Sequence, residues 1–156
     1  MSSTSELKPE RCNCAALRQA ARQITQFYDH YLLPTGLRTT QFSILTKLKQ
    51  SGTMTINALA EKMVMDRTTL GRNIQPLKRD GLVAIRRGQS DRRSKELHLT
   101  DAGAERLRTA MKAWANAQVQ FETIFGGERA SDLRSMLRLI TAIGPGPAAA
   151  GREPQI

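Results

Sequence analysis

The feature that most constrains this chain is a change of hydrophobic period between Thr55 and Thr100. Apolar residues first recur at helical spacing, as Ile56, Leu59, Ala60 and Met63, and then as Leu70, Ile74 and Leu77. Thr55 and Asp66 stand where each of these helices would begin, and their side-chain oxygens can accept from the first free N–H groups. Asp80-Gly81 closes the second helix, because glycine readily takes the left-handed conformation of a helix end. Leu82-Val83-Ala84-Ile85-Arg86-Arg87 then reads as a strand and Gly88-Gln89-Ser90-Asp91 as a polar turn. Lys95-Glu96-Leu97-His98-Leu99 alternates and reads as the returning strand. Ala60 is small where the two helices must approach closely. Two short helices joined by a tight turn, followed by a hairpin, describe a winged helix-turn-helix.

The flanks read as longer helices. One is expected from Arg11 to about Leu33, with Leu17, Ala20, Ala21, Ile24, Phe27, Tyr28 and Tyr31 as its apolar stripe and Pro34 and Gly36 as its stop. A second runs from Thr39 or Thr40 to Gln50, around Phe42, Leu45 and Leu48. Thr100 caps a long helix with Asp101 in its first turn. Its apolar line, Leu107, Met111, Trp114, Gln118, Phe121 and Phe125, alternates steps of four and three, as in a coiled-coil seam. Gly126-Gly127 breaks it before a last helix from about Glu128 to Ile143. Residues 1–10 and 144–156 are expected to be disordered tails. Hydrophobic residues are 40% of the chain and aromatics only 4%, a balance that favours packed helices. The expected class is mostly α (α+β): a winged helix-turn-helix with long N- and C-terminal dimerisation helices. Residues 11–36 and 101–143 form the helical dimerisation region and 37–100 the DNA-binding region. The terminal helices are too apolar for one short chain to cover, which predicts a homodimer. No run of about 18 apolar residues exists and the start of the chain has no apolar core, so no membrane contact and a cytoplasmic location are expected.

Charge points to the partner. The net charge is +10, and between Glu61 and Glu96 ten Lys or Arg face five acids. A polyanion fits this excess, since neutralising phosphates releases counterions. Arg67, Thr68, Thr69, Arg72 and Asn73 occupy the first two turns of the second short helix, the part that enters a major groove. Arginine can bond guanine, asparagine adenine, and threonine methyls can touch thymine. Arg86, Arg87, Arg92 and Arg93 surround the hairpin tip, which can reach a minor groove or a phosphate backbone. Asp91 among these arginines is expected to hold Arg93 or another arginine in place. Pro76 predicts a kink or an early end of the helix, because it loses one hydrogen bond and clashes with the carbonyl of residue 72.

Other chemistry is sparse. Paired acids in a pocket-like context, a nucleophile motif and a phosphate loop are all missing, so no enzyme activity and no cofactor are expected. Cys12, Cys14, His30 and His98 are the only Cys and His. Cys12 and Cys14 would point to nearly opposite sides of a helix, and no metal site is expected. If the segment is extended instead, the two cysteines could cooperate or bridge to a second subunit. Cys14, near the start of the first helix, is the first redox candidate, with Cys12 beside it.

Five stretches together resemble the MarR (multiple antibiotic resistance regulator) family. They are Leu37–Leu45, Leu59–Met63, Asp66–Leu70, Asp80–Val83, and Asp91-Arg92-Arg93 with Leu97–Gly103. The resemblance covers residues 12–143. It implies a dimer on a near-palindromic site in double-stranded DNA, most often a repressor released by small phenolic or aromatic ligands or by oxidants. It further implies Arg93 as the wing residue that enters the minor groove, with Asp91 its partner. The ligand region of the family would here involve Tyr28, Tyr31, Arg38, Phe42 and Trp114, and a small aromatic or acidic effector is expected. Cys14 and Tyr28 resemble part of the pattern of the family's organic-hydroperoxide sensors, whose second tyrosine would fall near Thr39 and is missing. The alternative readings are a thiol-based oxidant sensor acting through Cys14, and a winged-helix module for nonspecific nucleic-acid or protein contact.

Overall fold

The computed structural model describes residues 8–144, so the expected tails lie largely outside the described residues. The chain divides into two compact units, Met1–Ala117 and Gln118–Ile156. The first holds α1 (Asn13–Leu32), α2 (Thr39–Ser51), β1 (Met54–Thr55), α3 (Ile56–Met63), α4 (Arg67–Arg79), β2 (Val83–Arg87) and β3 (Lys95–Leu99), then most of α5 (Asp101–Phe125). A single 3-10 turn at Pro9–Arg11 precedes α1. Among the described residues no helix is long and apolar enough to cross a membrane.

The expected caps form. Thr55 accepts from the Ala58 N–H at 3.1 Å, Asp66 from the Thr69 N–H at 2.8 Å, and Thr100 from the Gly103 N–H at 3.0 Å. Gly81 ends α4 at φ 72°, with the Leu82 N–H returning to the Leu77 carbonyl at 2.9 Å. The α3–α4 turn makes the same closure without glycine. Val64 takes φ 51°, and the Met65 N–H reaches the Ala60 carbonyl at 2.9 Å. A β-branched residue there is strained.

Two expectations change. The helix does not end early at Pro76: α4 runs on to Arg79. The proline removes one donor, from the exposed Arg72 turn, where water can satisfy the carbonyl. Leu77, just beyond, is fully buried and holds the last turn on the core. The sheet also has a third strand. β1 pairs with β3 and β3 with β2, all antiparallel, in the order β1-β3-β2. Met54 lies opposite Leu97, which is fully buried.

One core serves this unit. Leu59 and Ala60 of α3 and Leu70, Ile74 and Leu77 of α4 meet Phe42, Leu45 and Leu48 of α2, with Leu97 beneath them and Leu107 and Ala110 of α5 beside them. Each buried Leu or Ile contributes roughly 1.5–3 kcal/mol. Leu32 and Leu37 carry the core to the α1–α2 connection, where Asp29 takes the Thr39 N–H at 2.6 Å and its hydroxyl at 2.7 Å.

In the second unit Gly126, at φ 98°, separates the end of α5 from α6 (Gly127–Ala142). Phe121 and Phe125 stack at 5.2 Å, and Glu122 accepts from Gln118 and Arg134. Its exposed apolar side chains include Val119, Ile124, Met136, Leu139, Ile140 and Ile143.

Two glycines in helices should respond oppositely to alanine. A Cβ at Gly103 would overlap the Leu82 carbonyl oxygen, whereas one at Gly71 meets nothing within 4 Å. Helix propensity favours alanine by about 1 kcal/mol, but overlap with backbone costs about 1–3 kcal/mol or more. Gly103→Ala should therefore lower the urea midpoint and Gly71→Ala raise it. Equal shifts of the same sign would mean that the close approach at Gly103 does not matter.

Candidate nucleic-acid interface

The polar face of α4 follows from its period. With Leu70, Ile74 and Leu77 buried, Arg67, Thr68, Thr69 and Arg72 are left exposed and Asn73 half-buried. These side chains are not equally available. Thr69 donates its hydroxyl to Asp66 at 2.6 Å, and the Asn73 amide donates to the Thr69 carbonyl at 2.9 Å. The first two turns therefore carry a polar chain, Asp66–Thr69–Asn73, beside two exposed arginines.

The wing is shaped by backbone contacts. The Gly88 N–H bonds the Ser94 carbonyl at 2.9 Å and the Ser94 N–H the Asp91 carbonyl at 3.0 Å. A Cβ on Gly88 would overlap the Ser94 hydroxyl and lie 2.7 Å from the Asp91 carbonyl, so only glycine fits there. Asp91 accepts the backbone N–H of Arg93 at 2.9 Å, so its carboxylate holds the turn rather than the Arg93 guanidinium. That aspartate-to-i+2 bond is a turn device read by spacing alone. Arg86, Arg87, Arg92 and Arg93 are all exposed.

The ion pairs lie away from these groups. Among the described residues they join Arg38 to Asp29, Arg79 to Asp80, Arg108 to Glu105 and Arg134 to Glu122. Arg67, Arg72 and the four wing arginines thus pair with no carboxylate among the described residues. A cleft of about 300 Å³ lies between the wing and the starts of α3 and α4, and Arg67 and Arg93 both line it. Lys95 and Asn57 line it too, and neither was singled out by motif. Lys95 was legible by parity, since it shares a strand face with Leu97 and Leu99.

The expected ligand residues separate into two groups. Phe42 and Trp114 stack, with ring centroids 6.2 Å apart, and line a groove of about 310 Å³ with Thr46, Lys47 and Met111. A neighbouring groove of about 510 Å³ shares Thr46, Gln50 and Met111 and adds Lys49 and Arg108. Tyr28 and Tyr31 lie on α1, each packed on Phe27. Arg38 points its guanidinium to Asp29, 3.7 Å away. Spacing could not reveal that last contact, because it depends on how α1 meets α2.

Both cysteines stand at the start of α1. Cys12 rather than Cys14 caps α1, its sulfur accepting from the Ala15 N–H at 3.4 Å. Cys12 is extended and Cys14 already helical, and both are exposed. No group of three or more His, Cys, Asp or Glu that could hold a metal ion stands among the described residues.

Comparison with known proteins agrees with this geometry. The sequence profile of the MarR family matches residues 37–95. The transcriptional regulator MosR of M. tuberculosis, solved in complex with DNA, is 34% identical; the match covers 86% of this chain and 99% of MosR, with a TM-score of 0.72. The transcriptional repressor CouR, solved on a 23-mer DNA duplex, is 29% identical, over 88% of this chain and 99% of CouR, with a TM-score of 0.77. The organic hydroperoxide resistance transcriptional regulator of Bacillus subtilis is 28% identical over 98 residues, which are 63% of this chain and 67% of that protein.

The Asp66 cap gives the interface a pH signature. Bonds from the Thr69 hydroxyl and N–H hold the Asp66 carboxyl below its ordinary 3.8. A carboxyl depressed in the folded state adds stability above its unfolded value and loses it as pH falls through the folded value. The stability difference between wild type and Asp66→Ala should be full at pH 7 and shrink below pH 4. A difference constant from pH 7 to pH 2, measured by urea unfolding, would remove the charged cap.

Proposed function

The chain belongs to the MarR family and is a DNA-binding transcriptional regulator, and from that premise we propose that it acts as a homodimer on a near-palindromic operator, as a repressor released by a small aromatic or acidic ligand. The observation that carries the reading is the set of unneutralised arginines on α4 and the wing. Arg67 and Arg72, with Thr68, Thr69 and Asn73, read the major groove. Arg93 enters the minor groove, and Arg86, Arg87 and Arg92 hold phosphates. Asp91 sets the backbone of Arg93 and so aims it.

Solvent exposure of apolar side chains calls for a second copy. Val119, Ile124, Met136, Leu139 and Ile143 are more than half exposed, and such a row of apolar side chains marks a surface that another chain covers. Residues 11–36 and 101–143 form this dimerisation region, and residues 37–100 the DNA-binding region. A two-fold dimer presents two copies of α4 and so selects two half-sites about one helical turn apart. The effector lies in the Phe42–Trp114 groove, its ring against the two aromatics and its acid toward Lys47. Arg38 and the tyrosines of α1 take a structural role in this arrangement.

A second reading rests on Cys12, whose sulfur sits at the helix start two residues from Cys14. A Cys12 thiolate that attacks an organic hydroperoxide becomes a sulfenic acid and releases the alcohol. The Cys14 thiol then condenses with it, forming the disulfide and water. That disulfide would pull Cys12 from its cap. Release of DNA by an organic hydroperoxide in wild type, but not in Cys12→Ser or Cys14→Ser, supports this reading. Equal release in the double variant removes it.

Selection from random duplexes tests the main reading. An enriched palindrome supports the specific regulator, and no enriched site supports a nonspecific winged-helix module. On the selected duplex, Arg93→Ala should weaken binding and lower the slope of log affinity against log salt by about 1 per subunit. Arg72→Ala should instead relax base preference at one position of each half-site.

A further inference from the structure

We propose that the cleft between the wing and the starts of α3 and α4 seats one DNA backbone phosphate, held by Lys95 and Asn57 beside the base-reading Arg67. This rests on the reading of the chain as a DNA-binding regulator and assigns Lys95 and Asn57, which that reading leaves out.

Three observations converge. First, strand parity turns Lys95 inward. The pairs Val83–Leu99, Ile85–Leu97 and Arg87–Lys95 share one face of the hairpin, and Arg86–Glu96 and Ala84–His98 the other. Val83 and Leu97 of the first face are buried in the core. Lys95 therefore sits on the core-facing side but one step past the core's edge, where its side chain lines the cleft with Arg67 and Arg93. Second, the charges accumulate against their own repulsion. Arg87 and Lys95 lie directly opposite each other, an arrangement that destabilises a hairpin. No acid lines the cleft to offset it.

Third, the cleft offers donors. Arginine and lysine have no acceptor. The Thr55 oxygen already accepts from the Ala58 N–H, which leaves its hydroxyl hydrogen to donate, whereas the Ser94 hydroxyl spends its hydrogen on the Asp91 carbonyl and adds no donor. The Ile56 and Asn57 N–H groups, in the first turn of α3, have no acceptor within the helix. Base edges mix donors and acceptors, whereas a phosphate is an acceptor throughout, so the donor-rich lining matches the backbone. A phosphate seated here would touch the start of α4 and the wing together. It would set the angle between them on the duplex.

The test uses the full chain and the duplex recovered by selection. Each phosphate of one half-site is replaced singly by a neutral methylphosphonate, and binding is measured for wild type, Lys95→Gln, Lys95→Arg and the exposed control Lys112→Gln. One position should weaken wild type and Lys112→Gln about tenfold and Lys95→Gln less than about twofold. Lys95→Arg should recover the sensitivity. If Lys95→Gln responds like wild type at every phosphate, or loses sensitivity equally at all of them, the seat is wrong. Circular dichroism melts of the variants guard against misfolding. Should no site be enriched, the specific regulator reading fails and the seat is judged on an arbitrary duplex. There, a salt slope lowered by about 1 per subunit in Lys95→Gln but not in Lys112→Gln supports it, and equal slopes overturn it.

Discussion

The joint between Leu82 and Gly103 is the constraint on which the interface depends. Gly103 lies in the first turn of α5 and leaves no room for a Cβ against the Leu82 carbonyl. Thr100 closes the same joint from both sides. Its hydroxyl donates to the Gly81 carbonyl at 2.6 Å and accepts from the Gly103 N–H, while its own N–H reaches the Leu82 carbonyl at 3.2 Å. The root of β2, the end of β3 and the start of α5 thus meet in one hydrogen-bonded knot. The hairpin leaves that knot as a lever. Its base is held by Val83 and Leu97 in the core, and its arginines stand at the far end. The start of α5 and the base of the wing are therefore joined directly through this knot.

What was legible in the sequence was what is local. Thr55, Asp66 and Thr100 announce their helices because a cap acts within three residues. Leu70, Ile74 and Leu77 announce a buried face because one helix sets their spacing. The third strand was not legible. Met54-Thr55 is too short to show a period, and it exists because β3 offers it a free edge. The Arg38–Asp29 pair was not legible either, because Asp29 lies on another helix. Cys14 does lie near the start of α1, but the cap falls to Cys12 because the helix begins at Asn13 rather than Arg11.

The α3–α4 turn shows how local preference can lose. Glycine would suit the left-handed position that Val64 occupies, and a side chain there costs on the order of 1–2 kcal/mol. The turn is over-determined on both sides. Leu59 and Leu70 are fully buried, and the Met65 N–H closes back on Ala60. Burial of two leucines exceeds the strain, so the helices keep their crossing although the turn residue resists it. Pro76 is tolerated on similar terms, since its loss falls on an exposed carbonyl and its neighbour Leu77 anchors the helix.

The same accounting ranks the side chains of the reading face. Arg67 and Arg72 can meet a duplex without breaking anything within the protein. Asn73 has one amide hydrogen committed to the Thr69 carbonyl and a second still to give; a base contact that takes the committed one gives up a hydrogen bond worth about 1 kcal/mol. A bidentate contact to a base returns about 1–3 kcal/mol, so the exchange favours binding only where the base is right. Long-range charge then governs the first encounter, since it acts before any bond is rearranged. In the proposed complex Asn73 would enter later, as a selector whose gain depends on sequence. Thr69 cannot follow it freely, because its hydroxyl and N–H hold the cap on Asp66, and losing that cap would loosen the helix start that carries Arg67.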